Sequence, residues 1–472
     1  MTSKVHALRG IGAVTKFLAA VLALVFVCAP AASQTRITLE DAINIALERN
    51  IELRKADNQV ELSERTVLRE KGDFLPNLSA SASAGRNWGL SFDQTSGRLV
   101  SEKSDNVSTG VNSSVNVFNG FDDIASLRGA QFRLESDELT RERTEQDVFF
   151  SVIQAYLQIL LSQEQIGILE ENLESQRQQF LRIQEFTRLG ARPISDQYQQ
   201  QALVATAELS LLDAEQALDL NESRLLQFLE LDPLQEYEFD RIDAETLPID
   251  PSTYDLDAMM SESLNRRADV RARQFLIRAL EQDIRSAKSG RLPSLNLSGN
   301  IGTSYSSQRV EVIRDEEGNI ISSDTVPFGD QFSDNRSGRV GFSLSIPLFS
   351  RFATRTNVHR SKITYENALL DLENLEQTVA LEVRQAYLDY QSALKRIDVT
   401  EIQLQASQQA ERVEQERYNL GASTLVELTQ ARAALVDAES TRAQAIYQFI
   451  FQTKVIDYYL GVLQPTDTVL PQ

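Results

Sequence analysis

The sequence is poor in the residues that carry most catalytic and metal chemistry. Its 472 residues include one cysteine, Cys28, and two histidines, His6 and His359. Disulfide frameworks, thiolate zinc sites and clusters of histidine ligands are therefore excluded by count. Only 11 prolines and 20 glycines are present, and aromatic residues make up 7% of the chain. Because few residues interrupt a helix, this composition favours long helices over an all-β domain.

The chain is also short of positive charge. It has 47 Lys and Arg against 68 Asp and Glu, a formal net charge of −21. Binding to nucleic acid needs a basic face, so a nucleic-acid partner is excluded. The sequence lacks a phosphate loop, a G-x-S-x-G element and a nucleophile–base pair, and its paired acids are typical of solvent-exposed helix faces. We therefore expect no enzymatic activity, no cofactor and no metal.

The segment 1–33 has the organisation of an export signal. A start with three basic residues precedes an apolar run over 17–29, and small residues follow at 31–33. The run is shorter than a membrane-spanning helix, which predicts a cleaved signal peptide over 1–33 rather than an anchor. No later apolar run is long enough for a membrane-spanning helix, which needs about 20 residues. The mature chain would then be periplasmic or would cross an outer membrane as β-strands.

Short motifs recur in the same order in the two halves of the chain. A Leu-Pro motif at 75–78 returns at 292–295, and three further motifs, which begin at positions 117, 154 and 189, return at positions 348, 385 and 420. The spacing between the copies is wider for these three motifs, which predicts a longer loop in the second copy. The pattern predicts a duplicated unit. Its parts are a first repeat over 34–232, a connector over 233–253, a second repeat over 254–462 and a tail over 463–472.

Each repeat is predicted to contain a helix, a strand hairpin, a very long helix, a tight turn and a returning helix. The two longest stretches are rich in helix formers, with apolar residues in steps of three and four. Each would be about 100 Å long. Such a helix cannot bury its apolar stripe in one globule, so we expect coiled-coil packing against equally long neighbours. The predicted ranges are 39–73 and 256–290 for the first helices, 75–120 and 292–350 for the hairpins, 121–189 and 352–420 for the long helices, and 194–231 and 424–461 for the returning helices.

The fourth strand-like segment alternates between apolar and small polar residues. Its apolar residues, predicted to face lipid, are Val340, Phe342, Leu344 and Ile346. This period of two is typical of a membrane strand with lipid on one side and water on the other. On alternation alone, a soluble hairpin packed on helices fits equally well. Four strands cannot close a barrel in lipid, so several chains would have to share one, and three chains would supply 12 strands.

The order of these elements resembles the TolC-type outer-membrane efflux family. The resemblance is carried by the Leu-Pro strand entries, the phenylalanines at 118 and 349, the two Gln-Ala-Tyr-Leu motifs and the segment YNLGASTLVEL at 418–428. It implies a mostly α fold with a small β part, assembled as a homotrimer with a 12-stranded barrel in the outer membrane and a helical tunnel in the periplasm. It further implies a passive exit duct of a tripartite efflux or type I secretion system, docked to a periplasmic adaptor and an inner-membrane pump of RND or ABC type.

The resemblance also assigns roles to residues around the two Leu-Gly-Ala turns, which it places at the periplasmic tip. The expected adaptor-docking residues are Leu189, Gly190, Ala191, Leu420, Gly421 and Ala422. The closing link falls on Asp196 and Tyr418, which predicts a hydrogen bond between them in the closed state. An acidic ring falls on Glu427, with Gln430 at its second carboxylate position, and Ser423 stands where the family has an arginine. The residues themselves also allow a simpler interpretation. In it, the two glycines only end and reverse helices, and Glu427 is only a solvated carboxylate on a helix surface.

A second interpretation of the whole pattern is a soluble periplasmic coiled-coil scaffold or adaptor without a membrane barrel. That interpretation predicts a water-soluble protein, whereas the duct predicts a protein that only detergent extracts. No selective cluster in the sequence names a cargo.

Overall fold

A computed structural model of the chain describes residues 35–93, 98–241, 249, 251–318 and 320–463. The predicted signal peptide over 1–33 and nearly all of the predicted tail lie outside the described residues. In chain order the elements are β1 (Thr35–Ile37), α1 (Leu39–Arg49), α2 (Ile51–Gly72), β2 (Asn77–Asp93), β3 (Arg98–Asn119), α3 (Asp122–Arg188), α4 (Ile194–Phe228), β4 (Tyr237–Phe239), α5 (Leu256–Arg266), α6 (Ala268–Ser289), β5 (Ser294–Ser306), β6 (Val310–Arg314), β7 (Ile320–Thr325), α7 (Phe328–Asp334), β8 (Ser337–Ser345), α8 (Ala353–Asn419) and α9 (Leu425–Leu460).

The two long helices, α3 and α8, begin and end at matching positions in the two repeats. Each has 67 residues, which corresponds to a length of about 100 Å at 1.5 Å per residue. Each follows a residue with a left-handed backbone, Phe121 with φ 68° and Phe352 with φ 64°. Phe121 lies two residues after the end of β3, and Phe352 lies seven residues after the end of β8.

The helical segment that opens each repeat is divided into two helices, which corrects the prediction of single helices over 39–73 and 256–290. The breaks fall at Asn50 and Arg267, where ψ is 129° and 127°. These two positions are equivalent in the repeats, because the spacing between them equals that between the two Leu-Pro motifs. The Asn50 side chain accepts hydrogen bonds from the backbone N–H groups of Glu52 and Leu53. It therefore caps α2.

Arg267 holds the second break through a buried charge network. Its side chain is only 4% exposed, and its guanidinium donates to Asp269 and Glu382 at 2.7 Å each. Burial raises the pKa of Asp269, but the hydrogen bonds and ion pair with Arg267 outweigh burial and leave that pKa below its ordinary value. Gly461, at the end of α9, has φ 71° and lies against the backbone of Arg267. The break in the second repeat thus also fixes the end of the last helix.

The strands β2, β3, β5 and β8 form one antiparallel sheet in that order. In the first hairpin the ladder continues out to Asp93 and Arg98, and it includes polar cross-strand pairs such as Arg86 with Asp105. β8 is shorter than expected and ends at Ser345. Pro347 lacks the N–H that a longer ladder needs. Ile346 therefore lies just beyond the strand.

The longer loop of the second repeat has its own structure. It contains the β6–β7 hairpin and the short helix α7. Gln331 of α7 is 1% exposed, and its side-chain amide exchanges two 3.0 Å hydrogen bonds with the backbone N–H and carbonyl of Ser306. Asn335 donates to the carbonyl of Ser304. β8 pairs with β5 only as far as Gly302. Beyond that residue, these two side chains form hydrogen bonds with backbone N–H and carbonyl groups of β5.

The main hydrophobic core lies at mid-length on the long helices. β1 pairs in parallel with β4, and the buried Tyr156 of α3 donates to the carbonyl of Ile37 at 3.2 Å. Phe239 and Val383 belong to the same buried cluster. Within the described part of the chain, no helix has the length and apolar character that crossing a membrane requires.

Each long helix has shorter neighbours along its two halves. α4 packs along the C-terminal half of α3, and α9 packs along the C-terminal half of α8. The N-terminal half of α3 contacts α2 and α6, and α6 also contacts α8. The helix α6 therefore lies between the two long helices and joins the two repeats.

Replacing Arg267 by alanine should lower the free energy of unfolding by about 3 kcal/mol, because Asp269 and Glu382 lose their buried cation. Thermal unfolding of the detergent-purified protein, followed by circular dichroism, measures the change. Arg266 is the matched control, since its ion pair with Glu262 is exposed; Arg266→Ala should cost about 0.5 kcal/mol or less. Equal losses in the two variants would show that the buried network does not hold the break.

Candidate functional site

The two Leu-Gly-Ala turns have the same backbone geometry. Gly190 has φ 76° and Gly421 has φ 74°. In each turn, the N–H of the alanine after the glycine donates to the carbonyl five residues earlier, at 2.8 Å. This is the Schellman motif, which ends a helix through a left-handed residue and so favours glycine. The motif lets each long helix reverse into its returning helix within a few residues.

Both turns project away from the rest of the described chain. Leu189 is 63% exposed and Leu420 is 84% exposed. Apart from the glycine and its two chain neighbours, no described residue has an atom within 4 Å of a Cβ placed on Gly190 or Gly421. Each turn thus presents one exposed apolar side chain that a partner can cover.

Arg192, two residues after the first turn glycine, links the two helical hairpins. Its guanidinium carbon lies 4.4 Å from the centre of the Tyr418 ring, and its Nη2 donates to the Tyr418 carbonyl at 3.1 Å. A cation over an aromatic face is attracted by the ring quadrupole. No sequence motif pointed to Arg192. The signal was the repeat itself, because position 192 corresponds to Ser423, where the family has its arginine.

Tyr418 is buried at this end of the molecule. Its side chain is 1% exposed and packs in a small cluster with Ile183, Leu425 and Leu428. Burial raises the pKa of Tyr418; the charge of Arg192 opposes this shift and the carboxylate of Asp196 adds to it. The hydroxyl makes no hydrogen bond of normal geometry with a described residue, although Gln179 lies close enough to lower its pKa. The predicted bond to Asp196 is therefore absent from the chain as described, where Arg192 holds the ring instead.

Asp196 lies in the first turn of α4 and is half-buried. Its carboxylate accepts a hydrogen bond from the Ser195 hydroxyl at 3.3 Å. Its backbone N–H donates to the carbonyl of Pro193 at 3.1 Å. The carboxylate keeps free acceptor positions that a donor from outside the hairpin can use.

Glu427, the predicted ring residue, closes a capping box at the start of α9. Its carboxylate accepts from the Thr424 backbone N–H and from the Ser423 hydroxyl, both at 2.8 Å, while Thr424 Oγ1 accepts from the Glu427 N–H. These hydrogen bonds, that of the Thr424 backbone first, lower the pKa of Glu427. Gln430, three residues further on, is exposed. The carboxylate therefore has a local structural role at the helix start.

The strand residues predicted to face lipid share one exposed face. Val340, Phe342 and Leu344 alternate along β8 and are exposed, as is Ile346 beyond the strand. Alternate residues of a strand point to the same side of the sheet. In the described residues, no group of three His, Cys, Asp or Glu side chains is placed to hold a metal ion.

Replacing Glu427 by glutamine should remove a pH-dependent part of the stability. The folded-state pKa lies below the ordinary 4.5, so the carboxylate stabilises the cap above pH 4.5 and loses this effect as the pH falls through the folded pKa. The thermal midpoint of Glu427→Gln should lie below that of the parent at pH 7, and the difference should disappear in acid. Glu416→Gln, at an exposed carboxylate near the end of α8, is the control and should show no such dependence. A difference that stays constant with pH would contradict the assignment.

Comparison with known proteins adds a family and a fold to this geometry. The model of the family described as outer membrane efflux protein matches residues 42–229 and 259–456, one segment in each repeat. Over 217 residues the chain is 24% identical to the outer membrane protein TolC of Salmonella enteritidis, a match that covers 45% of this chain and 41% of that protein. Over 441 residues it is 22% identical to the alkaline protease secretion protein AprF of Pseudomonas aeruginosa, covering 92% of this chain and 86% of that protein. The crystal structure of the outer membrane protein VceC from Vibrio cholerae has the same fold, with a TM-score of 0.74 at 17% identity over 90% of this chain and 96% of that one.

Proposed function

Because the chain belongs to the outer membrane efflux protein family, whose model matches both repeats, we propose that three copies form a passive exit duct through the outer membrane and the periplasm. The observation that carries the proposal is a four-stranded sheet with two open edges, attached to helices about 100 Å long. A soluble scaffold has no use for an exposed apolar strand face, and the family match does not favour it.

The sheet edges support a shared barrel. β2 pairs only with β3, and β8 pairs only with β5, within the described residues. An unpaired strand edge cannot remain in hydrocarbon, because its N–H and carbonyl groups find no water there. Placing β8 of one copy beside β2 of the next satisfies both edges. Three copies then close a barrel of 12 strands, which is wide enough for an open lumen.

The repeats support the same assembly at the level of the helices. On α3 of the first repeat, Phe132 contacts Phe275 of α6, and Leu139 lies in a buried cluster with two alanines of α6. The corresponding residues of α8, at the spacing that relates the two Gln-Ala-Tyr-Leu motifs, are Ile363 and Leu370, which are exposed. The helix α6 belongs to the second repeat and packs on α3 of the first repeat. Its equivalent in the first repeat is α2. We therefore place α2 of another copy against α8.

The pattern continues toward mid-length. Phe150 of α3 stacks on Tyr458 with ring centres 4.4 Å apart, and Leu157 belongs to the main core. Their counterparts on α8, Leu381 and Leu388, are exposed. An apolar stripe this long on a surface helix is covered by a partner in most proteins. A homotrimer covers it with the same elements that cover α3 within one copy.

We assign the tip to two tasks, docking and closure. The exposed turns at Leu189–Ala191 and Leu420–Ala422 are proposed to receive a periplasmic adaptor, which connects the duct to an inner-membrane pump. The relative AprF is named for protease secretion, which supports a pump of the ABC type. A pump of the RND type is the alternative. The apolar side chains of Leu189 and Leu420 give such an adaptor two matching contacts per copy.

Closure is proposed to involve Arg192, Tyr418 and Asp196. Arg192 holds the loop after the first turn on the second hairpin, in the role that the family gives to an arginine at the position of Ser423. The buried Tyr418 hydroxyl forms no hydrogen bond with Asp196 within one copy, and Asp196 is an acceptor close enough to influence its pKa. Glu427 then contributes one carboxylate per copy at the constriction, with Gln430 uncharged beside it.

The duct and its closure are tested by reconstituting the full chain in planar bilayers. We expect discrete channels, and Arg192→Ala should raise their conductance because it removes the contact between the first turn and Tyr418. The control is Arg188→Ala, since Arg188 pairs with Glu185 of its own helix and should leave the conductance unchanged. A water-soluble protein that gives no channels would contradict the proposed function.

Docking is tested by placing a photo-crosslinking amino acid at Leu420 in cells that make the full chain. The expected product joins the protein to a periplasmic adaptor that mass spectrometry identifies. Leu234 is 92% exposed in the connector and is the control position, where no adaptor product should appear. Products at Leu420 that contain only further copies of this chain would contradict the assignment of the tip to docking.

A further inference from the structure

A basic cavity lies where the sheet joins the helices. It has a volume of about 500 Å³ and lies between Arg291, in the connection from α6 to β5, and the first turns of α8. Arg291, Arg355, His359 and Lys362 line it with positive or protonatable groups, and Phe352 and Val358 supply apolar walls. No residue of the tip or of the mid-length core lines it. The function proposed above does not use it.

The positive charge of the cavity is uncompensated within the described chain. No carboxylate lines it, and none of its four basic side chains forms an ion pair with an acid among the described residues. The segment 351–362 also contains Arg351 and Arg360 and has no acidic residue. This placement is unusual in a chain with a formal net charge of −21. A concentration of cations that the protein does not neutralise attracts an external anion.

The start of α8 differs in charge from the matching start of α3. α3 begins with Asp122 and Asp123, whereas the first turn of α8 has no acidic residue. Acids are favourable at a helix N-terminus and cations are unfavourable there, because of the helix dipole. Arg355, His359 and Lys362 correspond to Ile124, Arg128 and Gln131 in the first repeat. The first repeat therefore has no basic residue at the positions equivalent to Arg355 and Lys362, and an anion bound at α8 would compensate both the cations and the dipole.

The repeat also indicates which side of the helical wall the cavity occupies. Gln131, the counterpart of Lys362, precedes Tyr156 by close to seven turns of about 3.6 residues, so both lie on one face of α3. On that face, Tyr156 donates a hydrogen bond to β1 and packs in the same buried cluster as Phe239 of β4. In a tube of helices, added strands fit on the outer surface. By this correspondence, the cavity of α8 lies on the outward face of the proposed duct.

Two phenylalanines mark the level of this cavity. Phe349 and Phe352 meet edge to face with ring centres 5.6 Å apart, and both are exposed. Exposed aromatic residues at the end of a membrane strand are typical of the headgroup region. Basic residues just beyond that level contact the phosphates of anionic lipids. Guanidinium groups match phosphate oxygens with paired hydrogen bonds.

We propose that this cavity binds the phosphate group of an anionic phospholipid at the periplasmic face of the outer membrane. The proposal rests on the proposed function, since headgroups lie at this level only if the strands cross the membrane. One lipid per copy would neutralise the start of α8 and fix the junction of strand and helix. The first repeat, with its own aspartates, needs no such ligand.

The test uses the full chain in nanodiscs of phosphatidylcholine with or without phosphatidylglycerol, and native mass spectrometry counts the retained lipids. The parent should retain phosphatidylglycerol. The double variant Arg355→Gln with Lys362→Gln should bind this lipid with an affinity that is lower by a factor of about ten or more. Arg128→Gln, at the exposed counterpart of His359 in the first repeat, is the control and should retain the lipid as the parent does. Inorganic phosphate alone, added to the protein in neutral detergent, is a separate arm and should produce no comparable thermal stabilisation.

Each other outcome would overturn the proposal. Equal retention by the parent and the double variant would show that the cavity is not the lipid site. Dissociation of the double variant into single chains in both lipid mixtures would show that the basic residues pair with another copy instead. Stabilisation by inorganic phosphate equal to that by phosphatidylglycerol would assign the cavity to a dissolved anion. Channels in planar bilayers separate these results from a failure of the proposed function, because a duct without this lipid site still conducts.

Discussion

The length of α3 and α8 is the constraint on which the rest of the structure depends. A helix of 67 residues exposes an apolar stripe about 100 Å long, and no compact core can cover it. The chain covers part of this surface with its own returning and opening helices. The helix α6 covers part of both repeats at once. The remaining stripe on α8 is exposed within one chain, and the proposed homotrimer would cover it with another copy.

The ends of the long helices follow from this constraint. At one end, glycine turns reverse the chain with Schellman hydrogen bonds, and two hairpins meet through Arg192 and Tyr418. At the other end, Phe121 and Phe352 take left-handed conformations immediately before the long helices begin. The same design appears twice, yet the charges at the two junctions differ. The two repeats thus share the backbone conformation at these junctions, whereas the charges of the side chains at equivalent positions differ.

The long helices could be predicted from the sequence because proline is absent from both stretches and apolar residues recur at helical spacing. The breaks at Asn50 and Arg267 could not be predicted in this way, since no proline or glycine lies at either break. One is held by a side-chain cap and the other by a buried ion-pair network, and the latter depends on Glu382, which is distant in the sequence. The cap role of Glu427 could have been recognised, because Thr424 and Glu427 have the spacing of a capping box. The contact of Arg192 with Tyr418 joins two different repeats, and no local pattern indicates such a pair.

A direct measurement of helix length tests the central claim. Cys28 is the only native cysteine, so spin labels can be placed at chosen pairs once it is replaced or removed with the signal peptide. Glu142 with Glu185 on α3 and Glu373 with Glu416 on α8 are exposed pairs with equal spacing in the sequence. In detergent, with labelled chains diluted among unlabelled ones, pulsed double electron–electron resonance should give about 65 Å for both pairs, as unbroken helices require. Distances of about 40 Å or less would mean that the long helices fold back into shorter bundles, and the account would fail.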